Sequence, residues 1–234
     1  HCVIIDKKGR LLMEILNLGS HRIGVRFPEK GLRKGKNPAI LLNDGKLIEQ
    51  LDLRTERAVL VGVYPNNRLS EYTPWPEPAI RPGTPDFGGQ LGQYHRELNN
   101  EILTALIDEY ALDTEKLAYG GYSLGGLAAT MSLWETDAFA AVFSLCGSFW
   151  YPGVADFIEE HVPKNYSAQV YLQNGIREGK GHNNRLCDAY SYAQRVHTAL
   201  QATCGAKTVL DDYGHHDRQS ERLNAALRWV ERVL

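Results

Sequence analysis

The chain opens with two short apolar and β-branched runs, Cys2–Asp6 and Leu11–Leu16, separated by the turn-forming Lys7-Lys8-Gly9-Arg10. That pattern predicts a pair of strands. His21–Phe27 alternates and predicts a third strand, and the charged, glycine-punctuated stretch Pro28–Lys36 predicts a loop. Ala39–Leu42 and Ala58–Val63 are of another kind: short, unbroken apolar runs, as strands buried on both faces have. Tyr94–Tyr110 puts Leu98, Ile102, Leu106 and Tyr110 on one helical face. Beyond it, predicted strands at Leu117–Tyr119, Ala140–Leu145, Gln169–Leu172 and Lys207–Leu210 alternate with predicted helices at Ser123–Trp134, Ala189–Ala202 and Ser220–Leu234. Such alternation predicts an α/β fold, a mainly parallel central sheet with helices on both faces.

Pro65–Gly92 breaks the rhythm. Six of the ten prolines fall here and periodicity is lost, and an irregular segment this long inside a compact domain is usually functional or disordered. Its aromatics Tyr72, Trp75 and Phe87 predict an ordered loop over a site. With 234 residues and no linker, one domain spanning 1–234 is expected. A net charge of −2 argues against a dedicated nucleic-acid surface, and no apolar run approaches the roughly 18 residues that span a bilayer. His1-Cys2-Val3 begins no basic-then-apolar export signal. The four cysteines lack C-x-x-C spacing, so neither a zinc site nor a redox pair is expected. The expected setting is the cytoplasm, and the expected partner is a small molecule.

The candidate chemistry begins at Gly120-Gly121-Tyr122-Ser123-Leu124-Gly125-Gly126, which contains G-x-S-x-G. The motif follows a predicted strand and opens a predicted helix, the setting of the nucleophile elbow of an α/β-hydrolase fold. A serine on so sharp a turn needs small neighbours two residues away, which Gly121 and Gly125 supply. The helix that starts beside Ser123 points backbone N–H groups at a developing oxyanion. No Lys follows the glycines, which excludes a P-loop.

In this fold the acid follows the serine in the chain and the base follows the acid. Val170–Gly175 ends a strand and leads into Ile176-Arg177-Glu178, making Glu178 the candidate acid ahead of Asp188, Asp211 and Asp212. The base is expected after the last strand, in Tyr213-Gly214-His215-His216-Asp217, where an imidazole can reach back to the serine. His182 is a weaker rival. His21, His95, His161 and His197 lie in predicted elements or precede the serine, and packing roles are expected of them.

Several segments together resemble a family of esterases that includes esterase D, the enterochelin esterases and bacterial feruloyl esterases. They are Ala39–Gly45, Arg68-Leu69-Ser70-Glu71-Tyr72-Thr73-Pro74-Trp75, Gly121–Gly126, Gly147-Ser148-Phe149-Trp150 and the closing Gly-His-His-Asp. The resemblance covers nearly the whole chain. It implies a serine esterase that works through a Ser-His-Glu triad and an acyl-enzyme, with no metal or organic cofactor. It also implies oxyanion N–H groups at Leu124 and at Lys46, and an acyl pocket lined by Trp150. The family commonly carries Gly-Gly-His or Gly-x-Gly-His before its last helix. Against Gly214-His215-His216 this favours His216 as the base and leaves His215 as a spectator or substrate-side contact.

Three readings of the substrate compete. A siderophore trilactone, as a ferric catecholate, would call on cations such as Arg68, Arg177, Lys180 and Arg185. A carbohydrate or feruloyl ester would stack on Tyr72 and Trp75. A non-catalytic hydrolase-fold binding protein is the alternative from another class.

Overall fold

The structure, a computed structural model, describes Cys2–Ile5 and residues 11–234. The turn expected at Lys7–Arg10 lies outside the described residues. β1 (Cys2–Ile5), β2 (Leu11–Leu18) and β3 (His21–Arg26) pair antiparallel in sequence. β4 (Asn37–Asn43) and β5 (Val59–Val63) are the unbroken apolar runs, buried at every position. Within the proline-rich excursion, β6 (Pro76–Glu77) and β7 (Phe87–Gly88) make a short ladder of their own. β8 (Leu112–Tyr122), β9 (Ala141–Leu145), β10 (Gln169–Gly175) and β11 (Lys207–Asp211) complete the sheet.

Among the described residues the main sheet has nine strands, in the order β1-β2-β3-β5-β4-β8-β9-β10-β11. From β5 to β11 every neighbour is parallel, so the sheet is mainly parallel, as the alternating pattern predicts. The helices are α1 (Lys46–Gln50), α2 (Arg68–Glu71), α3 (Leu91–Glu97), α4 (Leu103–Tyr110), α5 (Leu124–Glu135), α6 (Val154–Glu160), α7 (Ala189–Cys204) and α8 (Gln219–Val233). A π-helical turn at Leu98–Ile102 joins α3 to α4, and a 3₁₀ turn at Arg185–Asp188 leads into α7.

Side chains alternate across the strands, and each set meets its own layer. Ile40, Leu42, Leu60, Ala118, Phe143 and Tyr171 pack with Leu47 and Ile48 of α1 and with Leu223, Leu227 and Val230 of α8. Leu41, Val61, Tyr119, Val142, Val170 and Leu172 pack with α3 to α7. The predicted face Leu98, Ile102, Leu106 and Tyr110 is buried in that second layer.

Among the departures from expectation, two have a plain cause. β8 runs five residues further back than Leu117, because its first half carries the exposed Thr114-Glu115-Lys116 and shows no apolar run. α6 was not predicted: it buries only Val154, Ala155 and Ile158, too little to set up a readable period. Because the strands are parallel, their C-terminal ends share one rim. The registers Leu42↔Gly120, Tyr122↔Leu145, Gln173↔Leu145 and Gly175↔Asp211 bring the residues that follow these strands side by side along it.

Candidate active site

Ser123 stands between β8 and α5 with φ 59° and ψ −123°, a backbone conformation that costs a non-glycine residue on the order of 1–3 kcal/mol. Its neighbours make room for it. A Cβ on Gly121 would lie 2.3 Å from the carbonyl oxygen of Gly125, and one on Gly125 would lie 2.9 Å from Cβ of Asn43. The serine amide donates to the Leu145 carbonyl at 2.9 Å, tying the turn to the end of β9. The backbone thus makes the sharp, sterically tight turn that a nucleophile elbow would need.

One imidazole bridges the serine and an acid. His215 Nε2 lies 3.0 Å from Ser123 Oγ, and His215 Nδ1 lies 2.8 Å from Glu178 Oε2. Glu178 is 5% exposed, and its other oxygen accepts from the Gly175 amide at 2.6 Å and from Asn174 Nδ2 at 3.2 Å. The rival acids are elsewhere: Asp212 forms an exposed ion pair with Arg177, Asp211 pairs with Arg222, and Asp188 is exposed.

The expectation of His216 at this position is corrected. His216 is exposed, its ring nearly perpendicular to that of His215 at a centroid distance of 4.9 Å. The reason lies in the loop's anchors. Tyr122 donates its hydroxyl proton to the His215 carbonyl, and Arg222 Nη1 donates to the Gly214 carbonyl at 3.0 Å. With these two carbonyls held beneath the loop, the His215 ring turns to the serine and the next side chain points away.

On the other side of the serine, Asp44 ends β4 in a left-handed conformation, φ 58°. The helical turn that follows uses the amides of Leu47 and Ile48, which donate to Asp44 and Gly45. The Lys46 amide at the start of α1 and the Leu124 amide at the start of α5 have no acceptor among the described residues. Asn43 joins the two turns by donating to the Gly125 carbonyl at 2.8 Å, and it also bonds the hydroxyls of Tyr119 and Tyr94.

Three expected substrate contacts are corrected. Arg68 is committed to both carboxylate oxygens of Asp44, at 2.7 and 2.9 Å, which leaves it no charge to offer an anion. Tyr72 is fully buried and its hydroxyl accepts from the Asp44 amide at 2.9 Å, so it supports the turn instead of stacking on a ligand. Trp75 is a latch: its indole N–H donates to the Pro152 carbonyl at 3.0 Å and its ring packs on Tyr151 and Phe157. Trp150 packs edge-on against Phe87 with the Arg185 guanidinium 5.7 Å above its ring.

Sequence reasoning missed Ser148. Its hydroxyl is buried 3.3 Å from Ser123 Oγ, and its amide donates to the Ser123 carbonyl at 3.1 Å. The signal was present, since Ser148 sits in the Gly-Ser-Phe-Trp segment just past β9, the strand beside the elbow. Cys146, Glu178 and His215 present ligand atoms within 4.8 Å of one another. Arg222 Nη1 donates to the Cys146 sulfur at 2.9 Å, however, so a fixed positive charge occupies the ground a cation would need. Burial also pushes the Cys146 thiol far up, which keeps it protonated.

The family profile described as "Putative esterase" matches residues 19–229. The chain belongs to that family. It is a carboxylic ester hydrolase by that membership, and small-molecule esters are its class of substrate. It is 28% identical over 204 residues to "Uncharacterized protein YbbA" of Bacillus subtilis (strain 168), covering 79% of this chain and 82% of that one. Among solved structures it resembles an IroE-like serine hydrolase from Shewanella oneidensis, at a TM-score of 0.74 and 18% identity over 93% of this chain and 79% of that one. It also resembles the enterobactin esterase FES from Shigella flexneri, at 0.70 and 15%, over 99% of this chain and 61% of that one. The siderophore hydrolase EstA from Aspergillus nidulans matches at 0.68 and 17%, over 94% of each chain. The architecture these esterases share with the present chain is the α/β-hydrolase fold. No helix among the described residues is long and apolar enough to cross a membrane.

Proposed function

We propose that this esterase cleaves its ester through an acyl-enzyme on Ser123, with His215 as the base and Glu178 as the acid. The observation that carries the reading is the single imidazole whose two nitrogens reach Ser123 Oγ and Glu178 Oε2 at 3.0 and 2.8 Å. His215 Nε2 takes the serine proton as Oγ attacks the ester carbonyl. The oxyanion that forms is met by the amides of Leu124 and Lys46, both at helix starts. Collapse of the tetrahedral adduct expels the alcohol, which receives the proton from the imidazolium. Water, deprotonated by the same nitrogen, then releases the acid and restores Ser123. Glu178 holds the imidazole in the tautomer with a proton on Nδ1 and stabilises it when charged.

For the substrate we infer a siderophore lactone of the catecholate type. Support comes from the names of two similar structures, an enterobactin esterase and a siderophore hydrolase. Arg68, Arg177 and Arg185 lend no support, each being paired to a carboxylate. A feruloyl ester is the second reading. It is favoured by a similar ferulic acid esterase structure and by the aromatic wall of Trp150 and Phe87.

The test is a hydrolysis panel of 4-nitrophenyl acetate and butyrate, methyl ferulate, acetylated xylan and a ferric catecholate trilactone, run with wild type and Ser123→Ala. Wild type is expected to cleave the short nitrophenyl esters and, fastest among natural esters, the trilactone. Ser123→Ala should lose on the order of 10⁴–10⁶ in turnover. A Ser123→Ala enzyme that kept about a tenth of wild-type turnover would remove the nucleophile, and faster cleavage of methyl ferulate than of the trilactone would replace the substrate.

A further inference from the structure

Behind Glu178 lies a buried histidine that the proposed chemistry does not use. His197, on α7, is 4% exposed. Its Nε2 lies 3.0 Å from Asn174 Oδ1. Asn174, near the end of β10 and 1% exposed, turns its Nδ2 to Glu178 Oε1 at 3.2 Å and to the Gly147 carbonyl at 3.4 Å. A continuous line of side chains thus runs His197, Asn174, Glu178, His215, Ser123.

The directions along this line are fixed by donor chemistry. A carboxylate and a carbonyl only accept, so the Asn174 edge facing Glu178 and Gly147 must be its NH₂. Its oxygen then faces His197, and an amide oxygen requires a donor, so His197 carries its proton on Nε2. Burial lowers the His197 pKa to about 4, which keeps the ring neutral near neutral pH. The Nδ1 atom, a bare lone pair in this tautomer, is buried without a hydrogen-bond partner among the described residues. The two ends of an Asn side chain differ little in shape, and packing alone would not choose between them. Reversed, the amide would set its oxygen against Glu178 Oε1, two acceptors in contact. The His197 N–H, which would then face the amide NH₂, opposes that reversal from the other end.

We propose that His197 is a positioning residue of this hydrolase: through Asn174 it holds the Glu178 carboxylate so that Oε2 stays aimed at His215 Nδ1. The proposal rests on the triad reading given above. The same Asn174 amide reaches the carbonyl of Gly147, whose neighbour Ser148 bonds the Ser123 carbonyl. The acid and the nucleophile turn are therefore referenced to one buried amide. His197 touches neither substrate nor the reacting atoms.

The experiment uses 4-nitrophenyl butyrate with His197→Phe, His197→Gln, Asn174→Ala and the double variant His197→Phe/Asn174→Ala. Phe keeps the ring that packs edge-on against Phe149 but cannot donate. Gln restores an N–H near the position of Nε2. His197→Phe is expected to lower kcat about tenfold with KM nearly unchanged, and to shift or broaden the low-field proton resonance of His215 Nδ1–H. His197→Gln should recover most of kcat. In the Asn174→Ala background the Phe change should cost nothing further, because His197 acts only through the amide.

Wild-type kcat and an unmoved resonance in His197→Phe overturn the proposal. So do losses that multiply in the double variant, or equal losses in Phe and Gln. If His197→Phe does not fold, comparison of His197→Gln with Asn174→Ala decides: the proposal requires Gln to stay near wild type while Ala falls, and fails otherwise. Glu178→Gln separates this proposal from the reading beneath it. An active Glu178→Gln enzyme discards the triad, whereas an inactive one beside a fully active His197→Phe discards only the role of His197.

Discussion

The two sides of the site are built by different means. At the centre of the sheet, the ends of β4, β8 and β9 each carry a non-glycine residue at positive φ: Asp44 at 58°, Ser123 at 59° and Cys146 at 49°. Their geometry is set by backbone and by lack of space, since β4 is buried throughout and a Cβ on Gly121 or Gly125 has nowhere to go. At the edge, Glu178 and His215 sit on loops after β10 and β11, and their geometry is set by side chains. Arg222 of α8 bonds Asp211, the Gly214 carbonyl, the Tyr122 hydroxyl and Cys146. On the proposed reading, the centre places the atom that attacks and the edge places the base that takes its proton. The steric demand at Ser123 falls on residues within a few positions of it, while at the edge the loop's placement depends on residues far apart in the chain.

The largest expected effect tests where the edge puts its proton acceptor. His215→Ala should lose on the order of 10⁴–10⁶ in kcat, the scale expected for Ser123→Ala, while His216→Ala should stay within about threefold, as expected for an exposed side chain outside such a unit. Steady-state kinetics on a nitrophenyl ester read both. A His216→Ala enzyme as damaged as His215→Ala would mean that the loop changes register in solution.

That prediction also marks how far the sequence could be read. Gly121-Tyr122-Ser123-Leu124-Gly125 is legible because the steric demand falls on residues within two positions of the serine. Glu178 is legible because an acid is expected just past a strand and Gly175 ends one. The choice between His215 and His216 was not, because it is made by Tyr122 and Arg222 gripping consecutive carbonyls from another strand and another helix. Arg68 and Tyr72 were misread for a related reason. Their segment is unusual in sequence because it builds the Asp44 turn, and a residue that shapes a site can leave the same mark as one that meets a ligand. Ser148 escaped because its segment was read for Trp150, while its place beside Ser123 comes from the adjacency of β8 and β9.

A smaller effect tests whether the edge depends on one side chain. Arg222→Met keeps the stem but removes a guanidinium whose side chain is 2% exposed from Asp211, whose side chain is 16% exposed. Breaking one partner of a buried pair typically costs about 3–5 kcal/mol, and Gln173, which donates to Asp211 at 2.7 Å, can offset only part of it. Urea unfolding should show a loss of that order, and the folded fraction should have a reduced kcat because the Gly214 carbonyl has lost its donor and the Tyr122 hydroxyl, which holds the His215 carbonyl, has lost the guanidinium beside it. A midpoint within error of wild type would show that the loop is held by its backbone after all, and the contrast between centre and edge would fail.

The smallest effect concerns the centre, and it is a matter of pH. His95 of α3 is 1% exposed, packed between Tyr94 and Tyr119, and neither ring nitrogen has a hydrogen-bond partner among the described residues. Burial lowers its pKa from the ordinary 6.5 to about 3. The unfolded chain therefore binds a proton at His95 that the folded chain refuses between those two values. The sign follows: this contribution to stability is fully present above about pH 6.5 and is lost progressively as pH falls from there toward about 3. At pH 5 the loss is about 2 kcal/mol, from roughly 1.4 kcal/mol for each pH unit below the unfolded pKa. His197 acts in the same direction, its pKa being lowered to about 4 by burial. Because Tyr94 and Tyr119 bond Asn43, which holds the Gly125 carbonyl, acid should loosen the elbow from behind. His95→Phe fills much the same space without titrating. Its unfolding free energy, followed in urea from pH 7 to pH 4, should fall less steeply than that of wild type by about that amount at pH 5. Parallel curves for the two proteins would mean that His95 takes up its proton in the folded state, and that the centre is more open than its burial implies.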